Sequence, residues 1–502
     1  MAGVTSSTAD LPRAVTVCGE PPFPAHSDTT MVNKMSSRSN RVLGVLGVPA
    51  LALLLAGCKG FPTTGEQESR AQARTAGESY RPKGEKPGLP VLTSTSSLSN
   101  YLSYALLNQP KVEAAYYDWS ASIERITQAR SFADPQFTFQ MDIQNVITSI
   151  MPGLMGAIPW PEKLRVGANI ASAGSRAKYH AFQAAVLASA FDVKRTYYQL
   201  HFLAEKIHVN QETLKLLADL ESLARTQNEV GKVTLQDVLR AQIEEDRLRT
   251  AIANLEDARS SLQAQFKAAL GLGADAPMPP IPSEFESTTL DPTADKLFEK
   301  ALAQSTRLQG LEAEVRAAEA SLILARMGRL PDFSLGLMGD VKMNPTLYRP
   351  LGTISLPIWR DKIAAQIAEA QANHRSAQAQ LSGEQIALAV DFAERSFLYR
   401  EATRNLALLN DQLLPKARQS LEVARSGYLS GQIDFFNLSD AERTLLGFQL
   451  DKVEATMQRE IVLAELSLII QGMPPSSAPM GSGTSTVPRG NGAAAKKMGG
   501  GM

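Results

Sequence analysis

Residues 162–230 read EKLRVGANIASAGSRAKYHAFQAAVLASAFDVKRTYYQLHFLAEKIHVNQETLKLLADLESLARTQNEV, a stretch of 69 residues without proline. Apolar residues recur in it at spacings of three and four, beginning with Val166, Ile170 and Ala173. This spacing places them on one face and predicts a coiled-coil-like helix about 100 Å long. Gly231 follows, and the next proline comes only at position 277. We therefore predict a helical hairpin that turns at Gly231.

The same arrangement returns about 200 residues later. Ile363, Ile367 and Ala370 begin a second seam, and Gly431 interrupts it as Gly231 interrupts the first. Pro415 lies inside this second helix and is expected to kink or end it locally. Shorter blocks also match in order: ALLNQPKV at 105–112 with ALAQSTRL at 301–308, ARSFADPQFTF at 129–139 with ARMGRLPDFSL at 325–335, and PWPEKL at 159–164 with PIWRDKI at 357–363. The chain is predicted to contain two copies of one unit, each a helix, two strands and two long helices.

Two short segments alternate between apolar and polar residues. Their apolar positions are Phe137, Phe139, Met141 and Ile143 in the first copy, and Phe333, Leu335, Leu337 and Val341 in the second. Less regular return strands are expected at about 150–160 and 348–358. Period-two alternation is the pattern of a transmembrane β-strand, apolar towards lipid and polar towards a lumen. A soluble half-buried sheet gives the same pattern, so periodicity leaves both interpretations open.

Composition excludes several classes of protein. The chain has 51 Lys+Arg against 51 Asp+Glu, which argues against a nucleic-acid-binding protein. Two cysteines exclude a disulfide scaffold. Its 44% of hydrophobic residues is rich in alanine and poor in aromatics, as expected for helices that approach closely along their length. No phosphate-binding loop, HExxH, CxxC or GxSxG motif is present, so we expect no enzyme, metal site or cofactor.

The segment at 31–58 reads as an export signal. It has a basic start, an uncharged core from Val42 to Ala56 and the ending Leu-Ala-Gly-Cys58. This ending resembles a bacterial lipoprotein box, which implies diacylglycerol and an N-acyl (palmitate-type) chain on Cys58. The predicted organisation is a leader and signal peptide at 1–58, an extended linker at 59–94, one repeat at 95–290, a second at 291–472, and a disordered tail at 473–502.

Four strands cannot close a barrel, and a bilayer does not tolerate open sheet edges. If the strands span a membrane, several subunits must combine them, and a trimer supplies twelve strands and twelve long helices. The lipoprotein box, the duplicated unit, the DPQF and LPDF strand starts and the segment YLSGQIDFFNLSDAE at 428–442 resemble the TolC-like outer membrane factors of efflux systems. The resemblance covers about residues 95–472.

This resemblance implies a mainly α-helical fold with a small transmembrane β part. The expected assembly is a homotrimeric channel-tunnel with a 12-stranded β-barrel in outer-membrane lipid and a long α-helical barrel in the periplasm. It also implies a tripartite efflux or type I secretion-like system, in which a periplasmic adaptor (membrane fusion protein) docks on the hairpin tips and an inner-membrane pump supplies energy. The alternative is a periplasmic adaptor or scaffolding coiled-coil lipoprotein without a pore.

The resemblance also assigns residues at the hairpin tips. Asp440 falls where the family carries a constricting aspartate ring, although a solvated helix carboxylate is the simpler alternative. Tyr428 and Asp237 match a tyrosine and its carboxylate partner in the closed-state network. Ile433 stands where the family has the basic partner, and Asn437 where it has a further aspartate, so we expect a different latch.

Adaptor contact is a further expectation at these tips. The expected tip and contact residues are Gly231, Val233, Gly431, Ile433, Phe435 and Phe436, together with the apolar neighbours Val230 and Leu235. Packing between the hairpins explains the apolar members equally well.

Overall fold

The computed structural model of the protein describes residues 62–143, 146–281, 285 and 296–471. These residues belong to one compact unit, Gly60–Met502, while a second unit, Met1–Lys59, lies outside the described residues. The predicted signal peptide, the lipid acceptor Cys58 and the predicted tail at 473–502 therefore all lie outside the described part of the chain.

Helices and strands follow the duplicated order that the sequence predicts. The first half contains α1 Thr64–Tyr80, α2 Leu98–Asn108, α3 Pro110–Arg130, β1 Gln136–Ile143, β2 Ile147–Ile158, α4 Pro161–Glu229 and α5 Leu235–Ala269. The second half contains α6 Leu297–Gln304, α7 Thr306–Met327, β3 Asp332–Asp340, β4 Leu347–Ser355, α8 Arg360–Leu408, α9 Leu414–Leu429 and α10 Phe435–Gln471.

Helix α4 is 69 residues long, which corresponds to about 100 Å. It packs against α3, α5, α7 and α10, so its contacts are spread over more than one face. Serines and other small residues such as Ser175 are buried on it, because small side chains let neighbouring helices approach closely. The Oγ atoms of Ser122 on α3 and Ser175 lie 3.1 Å apart, within hydrogen-bond distance.

The second long helix is interrupted near Pro415, as predicted. A π-helical turn at Leu409–Leu413 separates α8 from α9, and Pro415 lies in the first turn of α9. Proline has no N–H to donate and its ring crowds the carbonyl four residues earlier. The wider turn therefore comes immediately before the proline, and the chain continues as a helix beyond it.

The four strands form one antiparallel sheet in the order β1-β2-β3-β4. Its register pairs Phe137 with Leu154, and Leu154 with Leu337. These three side chains therefore share one face, and each is at least half exposed. The opposite face carries Thr138, Gly153 and Met338.

The prediction of an extended linker over 59–94 is wrong for residues 64–80. These residues form α1, which Thr63 caps by accepting a hydrogen bond from the backbone N–H of Glu66. Glu66 is 1% exposed, and its carboxylate accepts hydrogen bonds from Arg70, Thr127 and Arg130. The bonds from Thr127 and Arg130 attach α1 to α3. Proline and glycine become frequent only from Pro82 onward, and composition averaged over the segment concealed the helix.

Candidate functional site at the helical hairpin tips

Each long hairpin turns through the same backbone motif. At the first tip, the N–H of Gly231 donates to the Asn228 carbonyl and that of Lys232 to the Gln227 carbonyl. At the second, Gly431 donates to Tyr428 and Gln432 to Gly427. Both glycines have a φ of 75°, the left-handed conformation that this type of helix end requires. The predicted turns are confirmed, and the repeat extends to individual hydrogen bonds.

The helices that leave the two turns are capped differently. Thr234 and Asp237 form a capping box at the start of α5, and the Asp237 carboxylate accepts hydrogen bonds from the Thr234 N–H (3.1 Å) and Oγ (3.0 Å). At the start of α10, the Asp434 carboxylate accepts hydrogen bonds from the N–H and side chain of Asn437. The capping carboxylate thus belongs to Asp237 at the first tip and to Asp434 at the second, where Asn437 donates.

The two hairpins share an apolar core just above the turns. Its buried members come from α4, α5, α9 and α10 and include Val238, Ala241, Ala424, Tyr428, Phe435 and Leu438. The rings of Tyr428 and Phe435 meet edge-on with centroids 5.8 Å apart. The prediction of Phe435 as a surface contact is wrong, because it is 1% exposed and fills this core.

Tyr428 is buried without a polar partner. It is 2% exposed, and its hydroxyl has no hydrogen-bond partner among the described residues. Burial, with a smaller contribution from the charge of Asp237, raises the pKa of Tyr428 to about 12. Asp237 therefore acts on Tyr428 through its charge, while its hydrogen bonds go to Thr234.

An ion pair between α5 and α10 connects the hairpins. The Nε of Arg443 donates to Glu244 at 3.1 Å, and its Nη2 makes a second short contact with the same carboxylate. Arg247 also donates to Glu244 at 3.1 Å. The Arg240 guanidinium lies 5.9 Å from the centroid of the Phe436 ring. Sequence reasoning missed the Arg443–Glu244 pair, because residues 199 positions apart carry no local signal of their pairing.

Asp440 is exposed on α10, one turn before Arg443. The negative charge of Asp440 helps to raise the pKa of the Arg443 guanidinium, after the larger effect of Glu244. An exposed carboxylate fits both the predicted ring and the simpler alternative of a solvated side chain.

The apolar tip residues divide into packed and exposed groups. Val233 and Ile433 are half-buried, and a Cβ at Gly427 would lie 2.5 Å from the Ile433 Cδ1 atom, so Ile433 lies directly over that glycine. Val230, Leu235 and Phe436 are 65%, 61% and 55% exposed. Sequence reasoning missed that Leu239 and Ile243 are also exposed and, at spacings of four from Leu235, extend an apolar stripe along α5.

Among the ranges that the structure describes, no three His, Cys, Asp or Glu side chains lie close enough to hold a metal ion. None of the described helices is both long enough and apolar enough to cross a membrane.

Glu442 is a further residue that sequence reasoning missed. It is a buried carboxylate on α10, 3% exposed, and it lies beside the shared core of the tips. Its signal was present in the sequence, since Phe435, Leu438, Glu442 and Leu445 follow the spacing of a coiled-coil seam.

The chain is similar to known outer membrane efflux and metal resistance proteins. Residues 297–471 match the family described as "Outer membrane efflux protein". The chain is 26% identical over 223 residues to the cobalt-zinc-cadmium resistance protein CzcC of Cupriavidus metallidurans. That alignment covers 43% of this chain and spans about half (51%) of the relative.

Solved structures of similar fold include outer membrane channels. The outer membrane protein VceC of Vibrio cholerae matches with a TM-score of 0.65 and 17% identity, over 75% of this chain and 96% of VceC. The open MtrE outer membrane channel of Neisseria gonorrhoeae matches with a TM-score of 0.61 and 16% identity, over 77% of this chain and 97% of MtrE. The mainly helical fold with its four-stranded sheet is thus the TolC-like fold, and residues 297–471 match the outer membrane efflux protein family.

Proposed function

We propose that this protein is the outer-membrane channel of a tripartite efflux or type I secretion-like system, through which substrates pass without catalysis by the channel. The observation that carries this proposal is the four-stranded sheet. Its apolar face is exposed, with Phe137 at 71%, Leu335 at 60% and Ile354 at 60%. Its outer strands β1 and β4 each pair with only one neighbour among the described residues.

A homotrimer completes this sheet. Three copies supply twelve strands, so each open edge meets the edge of a neighbour and the apolar face turns to lipid while the polar face lines a lumen. The four long helical segments of each copy, α4, α5, α8–α9 and α10, continue as the wall of a twelve-helix tube. We place the protein in the bacterial outer membrane, extending into the periplasm.

The proposed partners follow from the hairpin tips and the N-terminus. A periplasmic adaptor docks on the exposed apolar residues Val230, Leu235 and Phe436, and an inner-membrane pump delivers the substrate through it.

Lipid on Cys58 anchors the chain. Mass spectrometry of the mature protein should find an acylated cysteine at its N-terminus, and a mature chain that begins elsewhere would refute the anchor.

Asp440 is the proposed constriction residue. Three symmetry-related copies of this exposed carboxylate would form a negative ring that binds cations and repels anions. The tips are proposed to be held closed by the shared apolar core and by the Arg443–Glu244 ion pair, because the family's basic residue is replaced by Ile433.

The decisive experiment combines two measurements on one purified sample. Reconstitution into planar bilayers should give discrete conductance steps, and electron microscopy of the same preparation should show trimers. A monomeric particle that never conducts would overturn the channel proposal and favour the scaffolding alternative.

A further inference from the structure

Four of the described glutamates are buried, and three of them are paired. Glu460 pairs with Arg459 at 2.8 Å. Glu66 has Arg70, Thr127 and Arg130 as partners, and Glu245 on α5 bonds Arg249 at 2.5 Å. Glu442 is 3% exposed, yet neither carboxylate oxygen has a hydrogen-bond partner within the described ranges. A buried ionised carboxylate without a partner is strongly unfavourable. The environment of Glu442 therefore selects its neutral form.

The position of Glu442 makes its charge important for helix packing. It lies in the apolar seam of α10 between Leu438 and Leu445, both buried, and this seam closes the second hairpin against the first. It also lines a cavity of about 280 Å³, together with Leu217 of α4 and Leu248 of α5. This cavity gives a route by which protons reach the carboxyl.

The charged groups around Glu442 do not compensate its charge. Arg443 on α10 and Arg247 on α5 line the same cavity, but both donate to Glu244. Helix α4 contributes uncharged residues to the cavity lining, and the charged residues of α9 that the structure describes are all exposed. The remaining acidic groups nearby are Glu245, which pairs with Arg249, and Asp440, which is exposed.

We propose that Glu442 is a proton-operated switch in the hairpin tips: the seam between the hairpins closes on the neutral carboxyl and loosens when the carboxyl ionises. The switch itself requires only the packing of α10 of the second hairpin against α4 and α5 of the first. Its consequence for transport, easier opening of the periplasmic entrance as pH rises, rests on the proposed channel function.

The direction of the effect follows from the pKa of Glu442 in the closed and open tips. Burial raises this pKa from 4.5 to about 7 when the seam is closed, and exposure in an open seam returns it towards the ordinary value. The contribution of the neutral carboxyl to the closed seam is thus complete below about pH 4.5 and is lost as pH rises through 7. Between pH 5.5 and 8, the open-to-closed ratio should rise on the order of tenfold.

Hydrogen exchange of the whole detergent-solubilised protein tests this proposal. We expect protection factors of α9 and α10 amides near the tip, corrected for intrinsic exchange, to fall on the order of tenfold from pH 5.5 to 8. In Glu442→Gln, which keeps the shape but cannot ionise, this fall should vanish. Asp451→Asn, which removes an exposed carboxylate from the same helix, should behave as the wild type.

The comparison of the wild type with Glu442→Gln decides whether Glu442 is the switch. A fall of equal size in the wild type and Glu442→Gln, or no fall in the wild type, would overturn the proposal. Glu442→Leu provides a second pH-independent variant if the glutamine variant does not assemble. Because exchange does not depend on conduction, a protein that shows the switch but no conductance would refute the channel function alone.

Discussion

Asp440 has two interpretations, a constriction ring and a solvated helix carboxylate, which differ in how the charge of Asp440 affects the channel. Its carboxylate is exposed in the single chain, so its removal should cost little packing. If three copies form a ring, Asp440→Ala should weaken block of the channel by multivalent cations severalfold, because three negative charges leave one constriction. Single-channel recording with a trivalent cation on the periplasmic side measures this block.

Asp451→Asn serves as the control for Asp440, since it removes an exposed carboxylate from the same helix away from the tip. Cation block that is unchanged in Asp440→Ala, or is weakened equally in both variants, would remove Asp440 from the constriction.

Tyr428 and Tyr101 are both buried, but their hydroxyls are in opposite situations. The Tyr101 hydroxyl donates to the Pro280 carbonyl at 2.6 Å and lies 2.9 Å from that of Thr93, whereas the Tyr428 hydroxyl has no partner within the described residues. A buried polar group without a partner costs about 1–3 kcal/mol. Tyr428→Phe should therefore leave the free energy of unfolding unchanged or increase it, and Tyr101→Phe should lower it by about 1 kcal/mol.

Chemical denaturation of the two tyrosine variants gives these free energies. A loss in Tyr428→Phe as large as that in Tyr101→Phe would mean that the assembled protein supplies a hydrogen-bond partner for Tyr428, such as a residue of a neighbouring copy.

At the scale of elements, the sequence allowed most of the fold to be predicted. Period-two alternation identifies β1 and β3, and apolar residues at spacings of three and four identify α4, because both patterns can be read within one segment of sequence. Helix α1 was missed, since its stability comes from a cap and from Glu66 bonds to α3. The Arg443–Glu244 pair was missed for the same reason. Contacts between distant segments depend on packing that one sequence does not display.

A turn glycine and a helix glycine of the second hairpin should respond oppositely to substitution by alanine. Gly431 has a φ of 75°, and in the described structure no atom lies within 4 Å of a Cβ built there. The cost of Gly431→Ala is therefore one of backbone conformation alone, about 1 kcal/mol. Gly447, inside α10, likewise has no described atom near its Cβ position but has helical geometry. Gly447→Ala should stabilise the protein by up to about 1 kcal/mol.

Denaturation of the two alanine variants tests whether the turn geometry matters. Opposite signs are expected for Gly431→Ala and Gly447→Ala. Stabilisation by both substitutions would contradict the left-handed turn, because it would mean that position 431 accepts an ordinary helical residue.

At the scale of the whole molecule, one chain leaves its sheet incomplete. The register places Phe137, Leu154 and Leu337 in one exposed apolar row, and the opposite face carries Ser334 paired with Thr353. Exposure of the first face to water is unfavourable, and so is exposure of the second face to lipid. Neither water nor lipid alone therefore suits the sheet of one copy. A closed ring of several copies resolves both conflicts at once, because it separates a lipid-facing surface from an aqueous interior.

The two faces of the sheet should respond differently to a charged substitution. Leu337 is 51% exposed and lies near the middle of β3, so Leu337→Arg should disturb little within the chain but should place a charge in lipid in every copy. An arginine at the membrane midplane costs about 2–4 kcal/mol per copy. We expect this variant to lose insertion into lipid vesicles, measured by flotation. Thr353→Arg, an exposed position on the opposite face, should insert normally and lower cation conductance. Equal insertion of both variants would mean that the Leu337 face does not meet lipid, and a soluble half-buried sheet would then be the better interpretation.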